Sequence, residues 1–430
     1  MAAFPWLSWL RQGGNAPLCL TALAQGPSLE AAAGAIAQDL GSKEFSATHP
    51  ADLALVFCST SYASDLPRLL PLLRTRLHAR HWIGCAGAGV VATDGAGVSQ
   101  ELEQQPALAV SLLRLPGACL QPFSLDTGKL PDLDGSAAAW VDWVGADPDK
   151  GRSMLLFVDP TCQGVNDLVS GLDYAFPGIP KMGGIAGHHS ANHGSLFLDD
   201  QVLTGAVGCL IGGSWRLDPV VAQGCRPIGP VFEVEQAERN VVLQLSAGEL
   251  RNTPVACLQT ILETLTPTER ELVRHSLFLG VARTSFSLEG ADDGDDAFLV
   301  RNLIGVDPRN GAVAVGERMR VGQHVQFQLR DAASSQQELQ QLLEKQKVRG
   351  AAPLMALLFA CLGRGQGLYG RPDGDVGVAR SLFPGLPIVG AFCNGEIGPL
   401  AGNTHLHGYT ASWGFLVADE PGGEPASPED

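Results

Sequence analysis

Ile179-Pro-Lys-Met-Gly-Gly-Ile-Ala-Gly187 and Leu386-Pro-Ile-Val-Gly-Ala-Phe-Cys-Asn-Gly395 are built alike. In each, a proline precedes a short apolar run, the run passes into glycine, and a glycine loop follows. His81-Trp-Ile-Gly-Cys-Ala-Gly-Ala-Gly89 repeats this pattern without the proline. Ahead of the three stand apolar runs of strand length, Leu53-Ala-Leu-Val-Phe57, Met154-Leu-Leu-Phe-Val158 and Leu354-Met-Ala-Leu-Leu-Phe359. Helical stretches at 66–77 and 165–175 join the first two pairs. A connection through Gly363-Arg364-Gly365 joins the third. Further strands follow near 107–113, at 195–198 and 205–211, and at 411–417. One unit of strand, crossover, glycine strand, glycine loop and strand therefore recurs three times with an irregular period. The expected fold class is α/β: two linked modules with mixed sheets built from a repeated strand–helix–glycine-strand unit. Glycine at Gly84, Gly184 and Gly390 would let a backbone or a ligand approach closely.

A different pattern lies between the second and third copies. Residues 249–265 read as a helix, and 277–283, 298–307, 313–315 and 324–329 as strands. Asn310-Gly311 makes the tightest turn there, and 336–346 is a charged helix. The stretch 125–151 is rich in Asp, Gly and Pro and reads as a connection. Residues 289–296 read as a solvated acidic loop whose spacing does not fit a calcium-binding EF-hand. The Pro-, Gly- and acid-rich end reads as disordered. The expected division is an extension at 1–48, an N-terminal domain at 49–247, a C-terminal domain at 248–418 and a tail at 419–430.

Composition narrows the function classes. The 430 residues carry a formal net charge of −16, the opposite of what phosphate neutralisation needs, so neither nucleic acid nor an anionic membrane surface is expected as a partner. No apolar run reaches the roughly 18 residues of a membrane helix. Met1 to Leu10 lacks the pattern of a signal peptide. Ten scattered cysteines without a C-x-x-C pair suggest reduced, mostly buried thiols. A cytoplasmic location is expected.

The third glycine loop gathers the densest polar set: Cys393, Asn394, Glu396, His405, His407 and Tyr409. Loops at strand ends are where α/β folds place sites. In a catalytic arrangement Cys393 would be the nucleophile, His405 or His407 the base and Glu396 the orienting acid. The alternatives are a non-catalytic ligand pocket and a packed turn. Arg364, just after the third core strand, suits bidentate capture of a carboxylate or phosphate; a structural salt bridge to Glu396 or Asp375 is the competing arrangement. Lys181 is a weaker candidate of the same kind, expected to be exposed. His188, His189 and His193, with His405 and His407, offer imidazoles for a metal or haem, although a loop does not pre-align them. No phosphate-loop pattern G-x-x-x-x-G-K-[ST] occurs, and Gly87-x-Gly89 lacks the third glycine of a dinucleotide fingerprint.

Taken together, these segments resemble the FIST family over residues 52–418. They are Trp82-Ile-Gly-Cys-Ala-Gly87, Gly224-Cys-Arg-Pro-Ile-Gly229, Asn302-Leu-Ile-Gly-Val-Asp307, Phe327-Gln-Leu-Arg-Asp331, Cys361-Leu-Gly-Arg364, Phe392-Cys-Asn-Gly-Glu-Ile-Gly-Pro399 and His407-Gly-Tyr-Thr410. The run from Phe392 is the most specific. The resemblance implies a sensory domain of bacterial signalling proteins and of certain F-box proteins. It implies binding of a small ligand, with amino acids suggested, and no assigned catalysis. Some bacterial relatives are associated with haem. With no kinase, cyclase, chemoreceptor or F-box segment attached, output is expected to pass through a separate protein partner. The expected ligand-binding residues are Arg364, Cys393, Asn394, Gly395, Glu396, His405, His407, Gly84, Cys85 and Gly184. In that pocket Glu396 would take an ammonium and Arg364 a carboxylate. No metal or other cofactor is expected. A cysteine-dependent enzyme using Cys393 and a haem-binding sensor are the alternatives.

Overall fold

The computed structural model describes residues 16–41, 44–283, 298–349 and 351–419. The acidic loop 289–296, the first ten residues and the tail from 420 lie outside them. The chain divides into two compact units: residues 1–221 with 340–430, and residues 222–339.

The first unit repeats one sequence of elements. Copy one runs β1 (Leu18–Gln25), α1 (Leu29–Leu40), β2 (Ala51–Ser59), α2 (Leu66–Arg74), β3 (Ala79–Gly87), β4 (Gly89–Thr93), β5 (Ser99–Glu103) and β6 (Ala107–Arg114). Copy two runs β7 (Ala118–Leu125), α3 (Ala137–Val144), β8 (Ser153–Val158), α4 (Val165–Ala175), β9 (Lys181–Ile185), β10 (Leu196–Leu198), β11 (Gln201–Leu203) and β12 (Ala206–Gly213).

Copy three opens with β13 (Trp215–Ala222), and the chain then builds the second unit. Its strands are β14 (Cys225–Pro227), β15 (Phe232–Glu238), β16 (Val241–Ala247), β17 (Leu250–Asn252), β18 (Leu277–Ala282), β19 (Phe298–Asp307), β20 (Ala312–Val315) and β21 (His324–Arg330). They form one sheet of antiparallel neighbours. Helices α5 (Pro254–Thr264) and α6 (Pro267–Ser276) interrupt the strands. Each of the two starts at a capping threonine followed by proline, and Thr266 with Glu269 completes a capping box. Copy three resumes with α7 (Ala332–Val348), β22 (Met355–Cys361), α8 (Gln366–Tyr369), α9 (Gly374–Leu382), β23 (Ile388–Cys393), β24 (Glu396–Leu400), β25 (Asn403–His407) and β26 (Ala411–Ala418).

Each copy keeps a parallel pair, β2 with β3, β8 with β9, and β22 with β23. The hairpins do not stay at home. The sheet orders are β1-β6-β2-β3-β10-β11, β7-β12-β8-β9-β24-β25 and β13-β26-β22-β23-β4-β5. Copy two lends its hairpin to copy one, copy three to copy two, and copy one to copy three. The exchange closes into a ring.

Register makes positions equivalent. Phe57, Phe157 and Phe359 sit opposite Cys85, Gly184 and Ala391 in the three parallel pairs. Their rings meet edge to face at centroid distances of 5.6, 5.8 and 5.3 Å, and all three are wholly buried. One residue before each partner lies a glycine: Gly84, Gly183 and Gly390. A Cβ on any of them would collide with a carbonyl oxygen of the core strand, of Val56, Leu156 or Leu358. The second member of this set is Gly183, not Gly184. Gly184 is packed instead against the Cys393 side chain.

Elements of the structure occupy or cross the stretches read from sequence at three places. The stretch 1–48 holds β1 and α1, which are integral to copy one; β1 pairs with β6 over its whole length. The stretch 125–151 holds α3, capped by Ser136 and buried through Trp140 and Val144. On either side of residue 248, β16 and β17 pair in one sheet. All three glycine strands belong to the first unit and meet there. At the start of the tail, Asp419 is tied to Arg216 at 2.6 Å. No helix among the described residues is long and apolar enough to cross a membrane.

If the phenylalanine cluster joins the copies, Phe359→Ala should cost ~3–5 kcal/mol in urea unfolding. A loss well under ~1 kcal/mol would show that each sheet is held by its own contacts alone.

Candidate functional site

The three glycine loops close on one another through backbone hydrogen bonds. Ala88 N–H donates to Phe392 O at 3.1 Å, Gly187 N–H to Ala86 O at 2.8 Å, and Asn394 N–H to Ile185 O at 2.9 Å. Register makes these one bond repeated three times. The loops thus serve the ring itself: Gly84, Cys85, Gly184 and Gly395 are buried. Asn394 is the exposed member at the third loop.

Against this symmetry one pair of positions stands out. The hairpin residue facing each glycine strand is Val90, Leu196 or Glu396, opposite Ala391, Cys85 and Gly184. Its cross-strand partner within the hairpin is Leu102, Leu203 or His407. Copies one and two therefore place apolar pairs where copy three places a glutamate and a histidine. Directly opposed residues in an antiparallel ladder share a face. Glu396 is wholly buried and His407 nearly so. Burial drives the Glu396 carboxyl well above the usual range, against the opposing pull of the Thr410 N–H and the Arg364 guanidinium. Thr410 N–H donates to Glu396 Oε2 at 3.1 Å. His407 Nε2 lies 3.0 Å from Gly398 O, so that nitrogen carries a proton. His405, two residues away on the same strand face, occupies a position that is Gln100 and Gln201 in the other copies, polar in all three.

Beside this pair lies a second buried polar cluster. Arg364 grips Asp375 side-on with one edge of its guanidinium, Nε–Oδ2 at 2.8 Å and Nη2–Oδ1 at 2.7 Å. Both side chains are closed off from solvent. The Tyr369 hydroxyl donates to Asp375 Oδ1 at 2.7 Å and accepts from Arg364 Nη2 at 2.7 Å. Arg364 Nη1 reaches Tyr409 O at 3.3 Å. The guanidinium is spent on Asp375, so of the two arrangements open in the sequence the structural salt bridge is the one present. Glu101, on the hairpin lent by copy one, accepts the Gly374, Asp375 and Val376 N–H groups at the start of α9. Burial, with the charge of Asp375, pushes Glu101 up to about 8. Tyr369 and Glu101 were not singled out from sequence; they join Arg364 and Asp375 only through the hairpin exchange and the fold of the α8–α9 crossover.

The remaining sequence candidates are engaged structurally. Cys393 is wholly buried beneath Gly184, and burial raises its thiol well above the ordinary value. A nucleophilic thiolate needs the reverse environment. His189 Nε2 lies 3.1 Å from Ser195 Oγ, while its Nδ1 accepts from Ala191 N–H at 3.3 Å. The neutral ring therefore donates to Ser195 and is no base toward it. His193 is held between Gly194 O at 2.9 Å and Ala63 O at 2.8 Å; His188 is exposed. Among the described residues no group of three or more His, Cys, Asp or Glu side chains is placed to hold a metal ion. Lys181 is buried, not exposed: its ammonium is fixed by Phe176 O at 2.7 Å and Asp173 at 2.8 Å.

Comparison with known proteins places names beside this geometry. The FIST N domain model matches residues 52–247 and the FIST C domain model residues 255–399. An uncharacterised protein of Mycobacterium tuberculosis is 34% identical over 368 residues, covering 85% of this chain and 91% of that protein. One of Mycobacterium bovis is 33% identical over 371 residues, with the same two coverages. Among solved structures, cyanuric acid hydrolase from A. caulinodans matches at TM-score 0.34 and 10% identity, covering 94% of this chain and 100% of that one. A likeness at that score carries no argument.

The buried acids set a pH dependence. Above about pH 4.5 the unfolded chain loses protons that folded Glu101 and Glu396 retain. Stability should therefore fall as pH rises from about 4.5 to about 8 for Glu101, and Glu396 adds to the same slope. Glu101→Gln and Glu396→Gln should each flatten the fall in unfolding midpoint. An unchanged slope in both would mean that neither acid is held protonated.

Proposed function

Because the chain belongs to the FIST family, whose domains are associated with sensing and signal transduction, we propose that it is a non-catalytic sensor whose ligand engages Glu396 and His407. One observation carries this reading. At two cross-strand positions the fold itself shows, twice over, that apolar pairs suffice: Val90 with Leu102, and Leu196 with Leu203. Burying a carboxyl there is costly, so copy three keeps Glu396 for something other than packing.

The chemistry favours a small ligand with an ammonium group, such as an amino acid. In the resting protein burial disfavours the Glu396 carboxylate. A bound ammonium would favour the carboxylate, and the pair would then be charge-assisted. The exposed Asn394 amide offers a further hydrogen-bonding group beside it. With Arg364 held by Asp375, a ligand carboxylate would be met by other groups. β25 is an edge strand, with its Thr404 N–H held by Asp173 Oδ2 at 2.6 Å. A change of charge beneath it is a signal that a separate cytoplasmic protein partner could receive there. The reading needs no cofactor and no nucleic acid or membrane.

Binding of an ammonium should release a proton, so affinity should rise with pH until Glu396 ionises in the free protein. A thermal-shift screen of amino acids across pH tests this, together with the double variant Glu396→Leu/His407→Leu, which copies the pattern of copy two. The double variant should be as stable as the parent or more so, by up to ~4 kcal/mol, and should lose the ligand-induced shift that rises with pH. A retained shift would remove the site from this pair; a strongly destabilised double variant would make the pair structural.

A further inference from the structure

Register aligns a third set of positions. Three residues beyond Ser59, Asp159 and Cys361, which are equivalent through the phenylalanine positions, stand Tyr62, Cys162 and Arg364. In copy one the Tyr62 hydroxyl donates to Gly26 O at 2.6 Å. In copy three Arg364 Nη1 donates to Tyr409 O. Each large side chain thus fills a socket between the end of the core strand and its neighbouring strands. Strand pairing maps Gly26 onto Thr127 and Tyr409 onto Thr204 in copy two. There the plug is a cysteine, too short to span the socket. A cavity of about 380 Å³ lies at that place, and its lining includes Thr127, Cys162 and Thr204.

We propose that the copy-two cavity is a second ligand site, one that receives a small cationic hydrogen-bond donor of guanidinium or alkylammonium type in place of the missing side chain. Two features support this class. The equivalent sockets are filled by groups that donate to backbone carbonyls, a phenol hydroxyl and a guanidinium. The copy-two wall carries the hydroxyls of Ser124, Thr127, Thr161 and Thr204, with Asp126 as its charged member and no cationic side chain. Thr161 Oγ1 already donates to Asp159 Oδ1 at 2.6 Å, which leaves its lone pairs to accept. Asp126 is paired at 2.9 Å with Lys129, an exposed partner. Such a surface pair contributes little and would be displaced readily by a ligand cation. The volume falls in the usual range for small-molecule pockets, roughly 300–1,000 Å³. This site is in a different copy from Glu396 and does not depend on the reading of that residue.

The probe is methylguanidinium, with p-cresol as a neutral donor of similar size to the Tyr62 side chain and acetate as an anion. Iodoacetamide modification of Cys162 is followed by peptide mass spectrometry, with the half-buried Cys257 of the second unit as internal control. Methylguanidinium should slow modification of Cys162 several-fold and leave Cys257 unchanged; acetate should protect neither. In calorimetry, Cys162→Ala should retain binding, and Cys162→Tyr, which copies copy one, should abolish it. Asp126→Asn, at an exposed side chain whose cap on Gly128 N–H an asparagine can keep, should weaken binding several-fold and covers the case in which Cys162→Tyr fails to fold. Absence of protection, protection by p-cresol alone, or equal binding to parent and to folded Cys162→Tyr would each overturn the proposal. So would unchanged affinity in Asp126→Asn.

Discussion

The contact among Phe57, Phe157 and Phe359 is the constraint from which the first unit follows. Three rings can meet edge to face at one point only if their core strands arrive there together. The glycine strands beside them must then lie against the core-strand carbonyls, which is why Gly84, Gly183 and Gly390 have no Cβ to spare. The loops that follow are forced into mutual contact, and the Ala88, Gly187 and Asn394 hydrogen bonds satisfy the backbone groups that this burial would otherwise strand. Each hairpin leaves its own copy because the chain, past the loop, has already reached the neighbouring sheet. Glycine richness is thus accounted for by close approach within the protein before any ligand is considered.

A fold repeated three times supplies its own reference. Where all three copies agree, as at the phenylalanines and glycines, the residue serves assembly. Where one departs at the expense of burial energy, the departure asks for another cause. Glu396 with His407 departs by placing ionisable groups where leucines and a valine suffice. Cys162 departs by leaving a socket open. Arg364 departs too, with its guanidinium held by Asp375, the Tyr369 hydroxyl and Tyr409 O.

Much of this architecture was legible in the sequence, because buried strands announce themselves as apolar runs and close approach announces itself as glycine. The limits have physical origins. Gly183 and Gly184 are adjacent, and local sequence carries no register to choose between them. Strand β1 and helix α1 were set aside as an extension because the alanine-rich Leu29–Leu40 helix has weak amphipathic contrast, and its partner β6 lies far along the chain. Helix α3 is hidden by the turn-forming residues around it. Hairpin exchange leaves no local trace at all, since a strand's pattern says that it pairs but not with which neighbour. Lys181 looked exposed because its partners, Asp173 and Phe176 O, belong to the preceding helix and its end.

The candidate site divides along the same line. Glu396 and His407 were visible as polar residues near one glycine loop, yet so were Cys393 and His405. What separates them is register: Glu396 and His407 face each other in positions that are otherwise apolar, whereas His405 stands where the other copies also carry a polar residue and Cys393 fills the space that Gly184 leaves. Residue type alone assigned all four the same weight. The ring supplies the discrimination, because it makes each position comparable with two others that share its surroundings but not its chemistry. The positions at which the symmetry fails become visible only once pairing has defined the symmetry.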